Sequence, residues 1–225
     1  MAEDGAGSGP GAGARAVVML SGGVDSTVAL WWARARGLHP LPVSVEFGGR
    51  PRRELTAVER VVEASGAGPL THMPLPFVHL AGELPAYQGA ARPVPYGYIP
   101  MRNLLFYTLA AYHADGHGAR YIVGGQLKED AMDFPDASAT YFGQVNDLLK
   151  RSTNGWSKAG PPEVVLPLAG MTKVEVVLMG ARLNVPFELT WSCWFDGDSP
   201  CGTCVSCKDR AEAFQKAGVT DPAAP

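Results

Sequence analysis

Leu20-Ser21-Gly22-Gly23-Val24-Asp25-Ser26-Thr27 is the stretch around which the chain is organised. The run Ala16 to Leu20 leading into it is apolar throughout, the pattern of a strand buried on both faces of a parallel sheet. Thr27 to Ala33 after it reads as the first turns of a helix. Two glycines at the junction allow tight, positive-φ backbone and leave room for an anion to approach the main chain. Successive N–H groups and the helix start then make a concave anion site. The hydroxyls of Ser21, Ser26 and Thr27 add donors, and Asp25 is placed to hold Mg²⁺ against phosphates. Leu20 through Thr27 are therefore the expected nucleotide contacts. A Walker A loop is excluded, because no lysine follows the glycines.

Working outward, 225 residues at 46% hydrophobic content supply one sizeable core and a small accessory module. The net charge of −3 argues against a protein that coats nucleic acid. No apolar run reaches membrane-spanning length, and no signal-peptide pattern opens the chain, so a cytoplasmic protein is expected. Residues 1–14 are rich in Gly, Ala and Ser and read as a disordered tail. Residues 15–186 then form the nucleotide-binding α/β domain, and residues 187–225 a C-terminal segment.

Leu41 to Phe47 reads as a second strand, after Gly37 and Pro40 break the helix. It runs into a mobile basic loop, Gly48 to Arg53, whose arginines are either phosphate ligands or solvated surface. Glu54 to Ala64 is an amphipathic helix and Leu70 to Leu75 a short third strand. Pro76 to Pro100 is irregular, a length that is usually functional in a compact domain. Its end, Tyr98-Ile99-Pro100-Met101-Arg102-Asn103, opens the apolar helix Leu104 to His113. A polar pair at that place points Arg102 and Asn103 into a cleft. Ala119 to Gly125 is a further strand with a glycine exit. The acidic, aromatic loop from Gln126 through Asp130, Phe134 and Asp136 follows on the ligand side of the sheet. Phe142 to Lys150 is helical, and Val164 to Leu168 is extended. Thr172 with Glu175 is a capping box that starts a helix at Lys173.

Cys193, Cys201, Cys204 and Cys207 fall within one short segment. Two overlapping Cys-x-x-Cys steps and Gly202 let these thiolates wrap a tetrahedral ion, and a closed four-cysteine shell indicates structural Zn²⁺. An iron–sulfur cluster and redox-active thiols are the alternatives.

Ser-Gly-Gly-x-Asp-Ser resembles the PP-loop of ATP pyrophosphatases, and in particular that of the 7-cyano-7-deazaguanine synthase family. Tyr98 to Asn103 is similar to that family's Tyr-Val-Pro-Gly-Arg-Asn, and Thr190 to Trp194 to its Thr-Trp-Ser-Cys-Tyr. Cys201 to Cys207 with Arg210, Phe214, Gly218 and Asp221 follows its C-terminal pattern. The resemblance implies a Rossmann-like α/β sheet flanked by helices, with a zinc segment at its end. It implies ATP-dependent adenylation of 7-carboxy-7-deazaguanine, attack by ammonia to give the amide, and a second activation giving the nitrile. Asp25, Ser26 and Arg102 would be catalytic. Leu20 to Thr27 with Gly125 would bind nucleotide, and Tyr98, Arg102, Asn103, Asp130, Phe134 and Asp136 would bind substrate. The cofactors are ATP, Mg²⁺ and structural Zn²⁺.

The chain departs from the family pattern at Gly48 to Arg52, at Met101 in place of a glycine, and across Asp130 to Ser138. Those departures suggest a paralogue with a changed acceptor or amine, including one that joins the deazapurine to a protein amine. With no glutaminase domain, ammonia or an amine would come from solution. A tRNA-thiolating enzyme would require a free nucleophilic cysteine and a basic surface, and a non-catalytic binding module would not require an intact loop. The apolar helix after Asn103 permits a homodimer.

Overall fold

The computed structural model describes residues 10–223. Five strands form one sheet in the order β3-β2-β1-β4-β5, every neighbouring pair parallel. They are β1 (Arg15–Met19), β2 (His39–Phe47), β3 (Thr71–Leu75), β4 (Tyr121–Val123) and β5 (Glu163–Val165). Between them run α1 (Val24–Ala35), α2 (Arg52–Ser65), α3 (Arg102–Gly116), α4 (Lys128–Asp133) and α5 (Ala139–Ser152), with α6 (Lys173–Arg182) and α7 (Val205–Ala217) after β5. This is the Rossmann-like α/β architecture expected of the sequence.

The alternation of β1 explains its unbroken apolar run. Ala16 and Val18 face a core built with α1, α2, α6 and α7, whereas Val17 faces one built with Tyr107, Ala110, Phe142 and Val145 of α3 and α5. Ala213 and Phe214 of α7 belong to the first core, so the C-terminal segment packs into the same interior as α1.

Several boundaries differ from the sequence reading. β2 starts at His39 and contains Pro40 and Pro42. The N–H of His39 donates to Ala14 on the β1 side, so period two turns both proline nitrogens towards β3. β3 joins only from Val43 onward, and no ladder bond is lost. The expected tail ends earlier than residue 14: Gly13 donates to Gly37 O at 2.8 Å, and Ala14 pairs with His39. Residues 1–9 of that tail lie outside the described residues. The acidic loop after β4 is a short helix, α4, because Asp130 accepts from Leu127 N–H at 2.8 Å and caps it.

The strand order reverses at β1, with β2 on one side and β4 on the other. Loops leaving the carboxyl ends of β1 and β4 therefore part at this point and leave a crevice, where open α/β sheets bind ligands.

Candidate active site

The loop after β1 is tighter than its sequence required. Gly22 has φ 85°, and a Cβ there would lie 2.6 Å from Glu54 O, so the position needs glycine twice over. Gly23 does not share that role: it is the extended N-cap of α1 at φ −78°. The helix begins at Val24, earlier than expected, and places Asp25 and Ser26 in its first turn. The first N–H groups of a helix have no intrahelical partner, so those of Val24, Asp25 and Ser26 remain for a ligand.

The side chains are used differently from the sequence reading. Thr27 is fully buried and donates to Gly23 O at 2.8 Å, so its hydroxyl shapes the loop and meets no phosphate. Ser26 Oγ accepts from Ser21 N–H at 3.2 Å and lies 3.1 Å from Ser21 Oγ. The side chains of Leu20 and Val24 are buried in the core. Gly125 packs against the loop from β4: a Cβ would stand 2.9 Å from Ser26 N. It admits the backbone approach and thereby seats the loop.

Arg50 settles the reading of the basic loop. It is neither a phosphate ligand nor solvated surface. Its guanidinium is buried and donates to Ser21 O and Ser44 Oγ, each at 2.8 Å, while Nε pairs with Glu54 at 3.0 Å. Arg53 reaches the cysteine segment, with Nε donating to Gly197 O at 2.7 Å and its backbone N–H to Asp196 at 2.9 Å.

Lys173 is the residue that sequence reasoning missed. The capping box forms as expected, with Glu175 N–H donating to Thr172 Oγ1 at 3.3 Å and Thr172 N–H donating to Glu175 at 2.7 Å. It places Lys173 on the first turn of α6, and Lys173 Nζ meets Asp25 Oδ2 at 2.5 Å. Asp25 Oδ1 is buried without a partner among the described residues. The signal was available: Lys173 starts the helix that follows β5, on the ligand side of the sheet.

These groups line a cleft of about 580 Å³ together with Ser21, Gly23, Glu54, Asp130, Trp191 and Trp194. Burial pushes the Glu54 carboxyl above its usual range, opposed by Arg50 and more weakly by Arg102. Burial also raises Asp130, with the Leu127 N–H opposing and Asp25 adding to the rise. Arg102 stands near enough to act on both carboxylates, yet closes no ion pair among the described residues. Met101 before it has left-handed backbone, φ 56°, where a glycine would sit without strain.

Of the other expected substrate contacts, Tyr98 and Phe134 present parallel rings, 6.1 Å between centroids and 9° apart. Asp136 lies close enough to Tyr98 to add to the rise in its pKa that burial causes. Asn103 is different: it is buried, and its amide donates to Asp136 O at 3.1 Å. It holds the turn at Asp136 from behind because α3 turns that face inward.

The four cysteine sulfurs lie within 4.8 Å of one another, with Cys201 and Cys207 3.9 Å apart. Thiolates held tetrahedrally at about 2.3 Å from one ion stand about 3.8 Å apart, so the set fits a single cation. Burial pushes Cys207 up to about 12, and hydrogen bonds from Thr203 and Cys204 pull Cys201 down to about 6. Such a set could hold a metal ion. The segment is fastened by Arg210, which is buried against Asp221 at 2.8 Å and Thr190 Oγ1 at 2.8 Å.

Comparison with known proteins gives the family. The model for queuosine biosynthesis protein QueC matches residues 15–218. The chain belongs to the QueC family. A 7-cyano-7-deazaguanine synthase of Methanothrix thermoacetophila is 37% identical over 92% of this chain and 97% of its own length. One from Thermosynechococcus vestitus is 33% identical over 92% and 94%. Among solved structures, a predicted tRNA methyltransferase subunit from Methanocaldococcus jannaschii superposes with a TM-score of 0.50 at 17% identity, covering 75% of this chain and 74% of that one. That likeness concerns the fold alone. No helix among the described residues is long and apolar enough to cross a membrane.

Proposed function

We propose that this QueC-family chain is an ATP-using ligase that activates the carboxylate of 7-carboxy-7-deazaguanine and passes it to ammonia, giving the amide and then the nitrile. The observation that carries the reading is the Asp25–Lys173 pair at the head of the phosphate loop, inside a cleft also lined by Glu54 and Asp130, whose carboxylates feel the charge of Arg102. A carboxylate resists attack by ammonia until one of its oxygens leaves as part of AMP. The enzyme's task is positioning and charge neutralisation.

In this reading the N–H groups of Val24, Asp25 and Ser26 hold the phosphates, and Lys173 neutralises charge as pyrophosphate departs. The unpartnered Asp25 Oδ1 fits Mg²⁺, which would supply further neutralisation when bound. Arg102 orients the substrate carboxylate towards the α-phosphate. Tyr98 and Phe134 offer flat faces to the deazapurine, with Asp130 and Asp136 at its edge. Raised Glu54 and Asp130 keep a proton acceptor near the incoming amine. Cys193, Cys201, Cys204 and Cys207 would hold structural Zn²⁺, fastening residues 187–225 to the nucleotide domain 15–186.

Incubation with Mg·ATP, 7-carboxy-7-deazaguanine and ammonium tests this directly. AMP and pyrophosphate should appear with the nitrile, identified by mass. Nucleotide left uncleaved in the presence of the carboxylate and ammonium would reject it.

A further inference from the structure

Trp191 joins the two centres of the molecule. Its backbone N–H donates to Gly22 O at 2.9 Å, gripping the phosphate loop. Its ring packs on Ala57, Cys193 and Cys207, with Cys204 alongside, and Arg53 lies over it at 5.8 Å. The residue is nine-tenths buried, yet its indole Nε1–H has no acceptor among the described residues. A buried donor without a partner costs about 1–3 kcal/mol, so it calls for an acceptor. Nε1 is shut off from solvent, which turns the search inward, to the sulfurs the ring rests on.

Those sulfurs have unequal supplies of donors. Cys193 Sγ accepts from the N–H groups of Phe195 and Cys201, each at 3.4 Å. Cys201 Sγ accepts from Cys204 N–H at 3.3 Å and from Thr203. Cys207 has the Gly202 N–H, whereas Cys204 has no such bond among those hydrogen bonds, although four thiolates around a divalent ion carry a net charge that requires donors. The Arg53 cation over the ring also strengthens the indole as a donor.

We propose that Trp191 Nε1–H donates to the metal-bound thiolate of Cys204, making Trp191 a positioning residue through which metal occupancy sets the phosphate loop. The inference rests on the four cysteines holding a metal. When the ion is bound, the thiolate anchors the ring, and the same residue's main chain fixes Gly22. When the ion is lost, the ring is released and the loop loosens.

The full chain loaded with ¹¹³Cd provides the test. Of the five tryptophan indole N–H signals, that of Trp191 is identified by its loss in Trp191→Phe. Should that variant fail to fold, contacts to the Cys207 methylene protons identify it in the wild-type chain. The Trp191 indole proton should show scalar coupling to ¹¹³Cd across the hydrogen bond and shift when Zn²⁺ replaces Cd²⁺. Metal-loaded Trp191→Phe should bind a non-hydrolysable ATP analogue about three- to tenfold more weakly, the loss expected of one hydrogen bond. Stoichiometric metal uptake with no coupling, or a signal that responds to nucleotide alone, would overturn the inference and leave the metal site standing. Failure to take up either ion would overturn both, whereas failure to bind nucleotide would count against the proposed ligase and leave the coupling measurement intact.

Discussion

The proposed active site has two walls, one for phosphate and one for substrate, built on different principles. The phosphate wall is held from every side: Arg50 fastens Ser21, Trp191 fastens Gly22, and Gly125 seats Ser26. Its own hydroxyls are spent on its own backbone. The substrate wall is open by comparison. Tyr98 and Phe134 are only partly buried, Met132 two residues before Phe134 is 79% exposed, and Met101 is strained. Gripping a phosphate needs fixed N–H groups whatever the substrate, and rigidity serves that end. Reading a ring system needs only flat faces and a few polar edges, which can change without endangering the loop. Two of the chain's three departures from the family pattern, Met101 and Asp130 to Ser138, fall on the second wall, while the third, Gly48 to Arg52, supplies the Arg50 that braces the first.

The largest effect should come from the phosphate wall. Lys173→Met removes the cation that faces Asp25 and should lower kcat about 10²- to 10³-fold, measured as pyrophosphate release. Its melting temperature should change little, since the pair, still about a quarter exposed to solvent, contributes about 1 kcal/mol. A variant that retains full turnover would remove Lys173 from the chemistry. Gly125→Ala drives a methyl group to within 2.9 Å of Ser26 N and should cost about 1–3 kcal/mol, read in a denaturant titration. Unchanged stability would mean that the wall is softer than described.

Changes on the other wall should be milder and selective. Phe134→Ala should raise KM for the carboxylate substrate about three- to tenfold, the worth of an aromatic face, and leave KM for ATP unchanged. Equal loss for both substrates would erase the distinction between the walls. The smallest effect is expected at Met101→Gly. Relief of left-handed strain, offset by glycine's entropy, should leave stability equal or up to about 1 kcal/mol higher.

The same division governs what the sequence disclosed. The β1–loop–α1 junction and the Thr172–Glu175 box could be read because each depends on neighbours a few residues apart. The Asp25–Lys173 pair could not be read in that way, since its partners are 148 positions apart and only the sheet order unites them. The sequence left Arg50 open between phosphate ligand and solvated surface because its acceptors, Ser21 O and Ser44, lie on other elements. Asn103 was expected to face the cleft, but the helix register that buries it depends on packing against the short turn Pro135–Ala137. Local chemistry marked the phosphate wall, and tertiary packing decided which side chains reach it.

The central claim is that a carboxylate oxygen becomes part of the leaving AMP. Substrate labelled with heavy oxygen in its carboxylate, turned over with Mg·ATP and ammonium, should give AMP that carries the label and pyrophosphate that does not. Unlabelled AMP beside labelled phosphate or pyrophosphate would contradict the account.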